Sequence, residues 1–377
     1  VDVGGLQNKF KQLDDSAAAA FLEKIAAQLC AVSLDGSTAA QLSEQGFGVV
    51  HETGLDMDGV TQAVEALDEE GGLTVQHATV SLADGDLSQT DHVKALVYTI
   101  SEFWKDPVAF SIGSIAEGHE ALLADTKARM ATFRKVVSDS LFDVLLQPVV
   151  ELENGKVHHY EALARIKAKD TASSPYEFIT FAEDAGVVGD FDIAMCRKVV
   201  DRINQAGEHG KQLAIAVNVS GRSLMSPKFV SQQMKLLEKC GDIRECLLFE
   251  LTESTQIQDL ESANQVLSEL RKLGHHVCLD DFGAGAAGYQ YLRALEVDYV
   301  KIDGVYFRES SSTEDGRTLL RSMADLCRDL GLSTIGEFVE TAGQARFLRD
   351  IGVTHGQGYF FGKPSVGVKD VVAPNWF

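Results

Sequence analysis

From about residue 144 onward, short apolar runs rich in β-branched residues alternate with longer windows in which apolar residues recur every three or four positions. The first pattern is typical of buried strands and the second of amphipathic helices. Strands alternating with helices predict an α/β fold, and eight of them suit a (β/α)8 barrel of the TIM type. The candidate strands are residues 144–150, 157–166, 213–220, 247–252, 276–282, 299–303, 333–339 and 358–361.

The first two candidate strands break the regular alternation, because only a short connection separates them. That connection contains Glu153-Asn154-Gly155, and Asn-Gly is a strong signal for a tight hairpin turn. A hairpin reverses the chain direction. We therefore predict a modified barrel with an antiparallel strand at its start.

Residues 1–105 show a different organisation. Helical windows such as 17–29 and 60–67 lie between short apolar runs such as 48–51 and 73–77, which predicts a small N-terminal α/β domain. Residues 106–140, helical at 119–137, are predicted to connect this domain to a barrel domain at 141–377.

The formal net charge is −22 for 377 residues. This excess of acids argues against binding to polymeric nucleic acid or to anionic membranes, both of which need a basic face. An anionic ligand would need locally supplied cations, and bound metal ions can provide them. The six cysteines are scattered without a Cys-x-x-Cys pair, so we predict reduced thiols.

No apolar stretch approaches the roughly 20 residues that cross a bilayer, and no signal segment opens the chain. We therefore expect no membrane contact within this chain and a cytoplasmic location. The sequence begins at Val1 rather than Met, which leaves open an upstream sensor or membrane anchor.

Polar residues stand near the carboxyl ends of several candidate strands, where catalytic groups gather in (β/α)8 enzymes. Carboxylate and amide oxygens favour Mg²⁺ or Mn²⁺ over zinc. Two such ions can activate a water and clamp both oxygens of an in-line phosphoryl displacement, and a lysine nearby could orient or deprotonate that water. The candidates are Glu161, Asn218, Glu250, Asp280, Asp281, Lys301 and Glu337.

Six short motifs occur in one order: Glu161-Ala-Leu-Ala-Arg165, Asn218-Val-Ser220, Glu250-Leu-Thr-Glu253, Asp280-Asp-Phe-Gly283, Lys301-Ile-Asp303 and Gln357-Gly358. Each alone is weak, but their joint order is specific. Over residues 142–364 the chain resembles the EAL-domain cyclic di-GMP phosphodiesterases. The resemblance implies hydrolysis of cyclic di-GMP to linear pGpG with two Mg²⁺ or Mn²⁺ ions.

The same resemblance implies roles for single residues. The first ion would be held by Glu161, Asn218, Glu250 and Asp280, and the second by Asp280, Asp281 and Glu337. Lys301, Glu337 and Glu253 would serve catalysis, with Lys301 helping to activate the water and Glu253 steadying the loop after the Asp pair. Leu163, Arg165 and Gln357 would contact the substrate, with Gln357 on the rim of the site. A homodimer through the barrel domain is also implied.

Two departures from the family pattern keep a second function open. Residues 284–288 read Ala-Gly-Ala-Ala-Gly, where the family usually has Thr-Gly-Tyr-Ser-Ser, and Phe338 replaces a glycine beside Glu337. A bulky Phe338 could shift Glu337. The alternative is therefore a catalytically silent receptor that binds cyclic di-GMP and signals to a partner.

The N-terminal block resembles a GGDEF-type cyclase domain, with residues 1–3 as its first strand. Ser43-Glu-Gln-Gly-Phe47 falls where Gly-Gly-Asp-Glu-Phe is expected, so this degenerate GGDEF-like domain should be catalytically dead. The doublets His158-His159 and His275-His276 are predicted to be packing or surface residues, since adjacent strand residues face opposite sides.

Overall fold

The computed structural model describes residues 1–82, 87–167, 174–210, 212–240, 243–252, 257, 259–283, 288–310 and 313–368. The chain divides into two compact units, Val1–Met130 and Ala131–Phe377. The division falls within a helix, Ile115–Ser138 (α5).

The described part of the first unit contains two small antiparallel sheets. The first pairs Asp2–Gly4 (β1) with Thr74–Gln76 (β4), and the second pairs Ala39–Gln41 (β2) with Phe47–Val49 (β3). The helices of this unit are Leu6–Phe10 (α1), Asp15–Ala31 (α2), Met57–Glu65 (α3) and Gln89–Lys105 (α4).

Helix α2 shows how the local sequence builds this unit. The Asp14 side chain accepts a hydrogen bond from the Ala17 amide at 2.8 Å, which satisfies an otherwise unpaired donor at the helix start. Phe21, Ile25 and Leu29 recur every fourth residue and are buried in the core of the unit. The helix therefore packs through one apolar stripe.

Eight strands of the second unit form a barrel. The strands are Phe142–Glu151 (β5), Val157–Ile166 (β6), Ile215–Ser220 (β7), Leu247–Thr252 (β8), His276–Phe282 (β9), Tyr299–Ile302 (β10), Ser333–Gly336 (β11) and His355–Gln357 (β12). They close in the order β10-β11-β12-β5-β6-β7-β8-β9. Neighbouring strands are parallel except that β5 is antiparallel to both β6 and β12, so the predicted modified barrel is confirmed.

Amphipathic helices cover the outside of the barrel. In α13, for example, Leu320, Met323, Ala324 and Cys327 follow a helical spacing and are buried. The helices are Pro175–Asp184 (α6), Val188–Glu208 (α7), Gly221–Leu224 (α8), Pro227–Lys239 (α9), Leu260–Lys272 (α10), Gly288–Ala294 (α11), Gly304–Ser310 (α12), Glu314–Asp329 (α13) and Ala342–Asp350 (α14), with a 3₁₀ turn at Arg244–Cys246.

The predicted strand at 358–361 is wrong. The last strand lies earlier, and Gly358 accepts hydrogen bonds from the amides of Phe361 and Gly362 at 3.1 Å, which closes a turn. The apolar character of this segment comes from packing, because Phe361 is buried in the core. A buried turn and a short buried strand look alike in sequence.

The six cysteines all lie in described ranges and are free thiols, as predicted. Within the described residues no helix has the length and apolarity needed to cross a membrane.

Candidate metal centre

Side chains that face the barrel interior form stacked layers, because alternate residues of each strand point inward. The lower layer is largely apolar, and six of its members form a buried cluster. It consists of Val149, His159, Ala216, Leu248, Cys278, Tyr299, Ile335 and His355.

The next layer lies two residues nearer the carboxyl ends of the parallel strands, which in the antiparallel β5 means two residues earlier in the chain. We call it the polar ring, because every position carries a polar or charged side chain. Its members are Gln147, Glu161, Asn218, Glu250, Asp280, Lys301, Glu337 and Gln357. Because alternate residues of each strand point inward, acids that are distant in sequence meet in one ring at the same level of the barrel.

Lys301 is the centre of the polar ring. Its ammonium nitrogen lies 2.9 Å from Glu337, 3.1 Å from Asp280, 3.3 Å from Glu250 and 3.4 Å from Glu161, and its side chain is 1% exposed. A buried ammonium group is tolerated only when opposite charges surround it. Lys301 thus holds four carboxylates together around one point.

Two amides orient Glu161 from either side. Asn218 donates to Oε1 at 2.8 Å and Gln357 donates to Oε2 at 2.6 Å. Gln357 is buried, so it lies within the ring and not on the exposed rim where the family pattern suggested it. Its Nε2 also lies 3.4 Å from Oε1 of Gln147, a residue that sequence reasoning missed. The sequence signal was weak, since Gln147 is a single uncharged polar residue in an otherwise largely apolar strand.

A β-bulge brings both adjacent aspartates to the site. The register of β9 against β10 shifts so that Asp280 and Asp281 together oppose Lys301. Asp281 has φ of 57°, a left-handed conformation that Asp tolerates better than most residues. Because a bulge re-aims side chains, neighbours that would face opposite sides can serve one site.

The acids form two overlapping groups, each with ligand atoms within 4.8 Å of one another: Glu161, Glu250 and Asp280, then Asp280, Asp281 and Glu337. Asn218 Oδ1 and Glu250 Oε1 are buried without a hydrogen-bond partner among the described residues. Buried acceptors without donors are costly, and a cation would satisfy them. This all-oxygen donor set fits a hard divalent ion.

The remaining predicted residues lie around this centre. Leu163 is half-buried and Arg165 is exposed, at two and four residues beyond Glu161 and so on the same face of β6. Glu253 and the altered loop at 284–287 lie outside the described residues.

Burial and the neighbouring acids raise the pKa values of the carboxyl groups in the polar ring, whereas Lys301 lowers them. Burial, with the neighbouring acids Glu161 and Asp280, raises the pKa of Glu250 well above its ordinary value. Burial raises the pKa of Glu337 to about 8 and that of Asp281 to about 6. For Glu161 burial is outweighed by Lys301 and the two amide hydrogen bonds, so its pKa is lowered.

Lys301 shows the complementary effect. Burial alone would lower its pKa, but the four surrounding carboxylates raise it well above the ordinary value. The lysine is therefore protonated in this arrangement and acts as a hydrogen-bond donor. Without a divalent ion, the ring keeps protons on some of its acids, and cation binding should release them.

We predict that the metal-free protein loses stability between pH 7 and pH 9. The pKa of Glu337 in the folded protein is about 8, above its unfolded value, so the stabilising proton is lost as pH rises through that range. Urea denaturation with chelator should show a fall of about 1–2 kcal/mol in the free energy of unfolding, and saturating Mg²⁺ should remove the slope. A metal-free stability that is flat or rises would contradict this.

Comparison with known proteins agrees with this geometry. The family model described as the EAL domain matches residues 130–364. The cyclic di-GMP phosphodiesterase PdeB of Shewanella oneidensis is 34% identical over 220 residues, which is 58% of this chain and 26% of that protein. The probable cyclic di-GMP phosphodiesterase PdeG of Escherichia coli is 31% identical over 233 residues, or 61% of this chain and 46% of that protein. The chain thus spans less than half of either relative.

Solved structures show the same fold. The FimX EAL domain from Pseudomonas aeruginosa bound to c-di-GMP has a TM-score of 0.57 at 25% identity, covering 63% of this chain and 97% of that one. The PaMucR phosphodiesterase in complex with c-di-GMP has a TM-score of 0.57 at 26% identity, with the same coverage. With its barrel, its polar ring and a family match over residues 130–364, this chain belongs to the EAL domain family.

Proposed function

We propose that the barrel hydrolyses cyclic di-GMP to linear pGpG with two Mg²⁺ or Mn²⁺ ions. Relatives that are named cyclic di-GMP phosphodiesterases support the substrate and the reaction. The single observation that carries the proposal is the polar ring, with two groups of acids that share Asp280. A two-ion site of this kind serves in-line displacement at phosphorus.

The net charge of the ionisable side chains at the site supports the binding of two divalent ions. Five carboxylates, from Glu161, Glu250, Asp280, Asp281 and Glu337, face the single ammonium group of Lys301. The excess of four negative charges equals the charge of two divalent cations. When bound, such ions lower the pKa of a coordinated water and neutralise charge that develops on the phosphoryl oxygens.

The chain's own residues would then hold and orient the reactants. Asn218 and Gln357 fix Glu161, and protonated Lys301 can donate a hydrogen bond to the attacking water. Arg165 lies further out on the same strand face, where its planar fork suits a phosphate oxygen pair. Leu163, between Glu161 and Arg165 on that face, offers apolar contact to the ligand.

A receptor that binds cyclic di-GMP without cutting it is the second candidate, and Phe338 is the observation that favours it. Phe338 has φ of 50°, and its ring packs so closely on Gly304 that a Cβ there would lie 1.5 Å from the ring. Glu337 nevertheless stays 2.9 Å from Lys301. The Phe338 side chain has therefore not displaced Glu337 from Lys301. The enzyme is the better supported function.

We predict that Phe338→Gly retains turnover. Left-handed backbone costs a non-glycine residue about 1–2 kcal/mol, so relief of this strain should change kcat by no more than about 30-fold even if all of it acts on the rate-limiting step. Steady-state kinetics with Mn²⁺ would measure this, with Phe347→Gly in α14 as a control for loss of an aromatic ring. A wild type without turnover and a Phe338→Gly variant with turnover would instead favour the receptor.

We further propose that the first unit is a degenerate GGDEF-like domain without cyclase activity. Residues 43–46 form the turn of the β2–β3 hairpin, in which Leu42 donates to Gly46 O at 2.8 Å. Only Phe47 matches the cyclase motif. Among the described residues that line a cavity of about 470 Å³ in this unit, none is Asp, Glu, Lys or Arg, and such a lining is unsuited to a nucleoside triphosphate. Calorimetry should detect no GTP binding.

A homodimer through the barrel stays a proposal from the family resemblance, and light scattering of the purified chain would decide it. The experiment for the reaction itself is chromatographic detection of pGpG with Mg²⁺, with Mn²⁺ and with chelator. Product that depends on metal is expected, and bound but uncut cyclic di-GMP would favour the receptor.

A further inference from the structure

Beneath the polar ring, the side chain of His159 faces Glu250. The distance from His159 Nε2 to Glu250 Oε1 is 3.9 Å, and the two side chains are 1% and 0% exposed. Within the described residues neither atom has a hydrogen-bond partner. A buried polar group without a partner is destabilising. Two such atoms facing each other point to a contact that forms in another state of the site.

A bridging water does not fit this 3.9 Å gap well, because two hydrogen bonds of about 2.8 Å that meet at a water's tetrahedral angle hold their outer atoms about 4.5 Å apart. A direct hydrogen bond needs only a shift of about 1 Å. Glu250 is one of the acids that would hold a cation, so its carboxylate is the group expected to adjust when the ion binds.

A β-bulge supplies His159 with a partner on its other side. The register between β5 and β6 shifts at His158, so the two histidine rings meet instead of facing opposite sides as the sequence suggested. Their Nδ1 atoms lie 2.8 Å apart. The Tyr299 hydroxyl lies 3.3 Å from His158 Nε2.

These contacts couple the tautomers of the two rings, because each hydrogen bond needs one donor and one acceptor. If the Tyr299 hydroxyl donates to His158 Nε2, the hydrogen of His158 is on Nδ1 and is donated to His159 Nδ1. The remaining hydrogen of His159 is then on Nε2, where it points at Glu250. Because the two Nδ1 atoms lie 2.8 Å apart, one hydrogen lies between them and one of the two nitrogens must be an unprotonated acceptor.

We propose that His159 is a positioning residue for the cation site: Nε2–H of His159 donates to Glu250 Oε1 in the loaded protein, and His158 and Tyr299 hold the required tautomer. The proposal rests on the proposed function for the presence of a divalent ion. Hydrogen bonds from outside the ligand set orient metal-binding side chains, and their loss costs about 10–100-fold in metal affinity.

The first test measures Mn²⁺ affinity without substrate, from the electron paramagnetic resonance signal of free Mn²⁺. His159→Leu is expected to raise Kd by about 10–100-fold, whereas His159→Gln keeps an N–H near the Nε2 position and should restore most of the affinity. His275→Leu is the matched control, because His275 is also buried but contacts the backbone of Leu247. Equal affinity of His159→Leu and wild type would overturn the proposal.

The second test reads the tautomers directly by nitrogen-15 NMR of the histidine-labelled, Mg²⁺-loaded chain. We expect hydrogen on Nε2 of His159 and on Nδ1 of His158. Hydrogen on Nδ1 of His159 would overturn the proposal even if His159→Leu fails to fold. A wild type that binds Mn²⁺ with these tautomers but leaves cyclic di-GMP uncut would contradict the proposed function alone.

Discussion

Replacing Lys301 by methionine is expected to lower turnover of cyclic di-GMP by at least about 10²–10³-fold, the usual effect of losing a charged group aimed at the reacting centre. The Lys301 ammonium group lies within 3.4 Å of four carboxylates, and methionine keeps the length but not the charge. The metal-free variant should also lose about 3–5 kcal/mol in the free energy of unfolding, because the acids lose their counter-ion. Steady-state kinetics and urea denaturation measure the two effects.

Lys198 provides the matched control for this variant. It is a lysine of the same unit whose ammonium nitrogen lies 2.6 Å from the carbonyl oxygen of Phe142 and 4.2 Å from the Phe142 ring centroid, outside the polar ring. Lys198→Met should change stability without lowering turnover. If Lys301→Met retained wild-type kcat, the central place of Lys301 in the chemistry would be refuted.

Glu161→Gln is expected to have a comparable effect, although glutamine has almost the same shape. Both carboxylate oxygens of Glu161 accept hydrogen bonds, Oε1 from Asn218 and Oε2 from Gln357. An amide must turn its NH₂ group toward one of these donors in either orientation. The lost ligand charge removes several kcal/mol of stabilisation, so turnover should fall by about three orders of magnitude.

The control for this second variant is Glu151→Gln, at the last residue of β5 and outside the polar ring. Its turnover should match the wild type. Isothermal titration with Mn²⁺ should show weakened binding for Glu161→Gln alone. Unchanged Mn²⁺ affinity together with normal turnover would remove Glu161 from the proposed ligand set.

The strands were predictable where apolar runs had polar boundaries. The bounds of β6, β8 and β9 agree with the prediction, because each run begins and ends beside polar or turn-forming residues. The last strand was misplaced, because Phe361 is apolar for packing within a turn. Pattern alone cannot separate those two reasons for an apolar segment.

The polar ring was largely readable from the sequence, since acids at strand ends converge in a barrel. Gln147 was missed because an uncharged residue within an apolar run carries little signal. Two bulges were also invisible, one that brings Asp281 to the site and one that joins His158 to His159. A bulge inserts one residue into the strand period, and periodicity arguments assume that none is inserted.

Turnover of cyclic di-GMP by the purified chain, followed chromatographically with Mg²⁺, with Mn²⁺ and with chelator, tests directly whether the barrel is a metal-dependent phosphodiesterase. The polar ring predicts pGpG in the presence of either ion and none with chelator. Lys301→Met should form no pGpG above background under the same conditions. Cyclic di-GMP that stays intact with both ions, in a chain shown to bind Mn²⁺, would contradict the account and make the barrel a receptor.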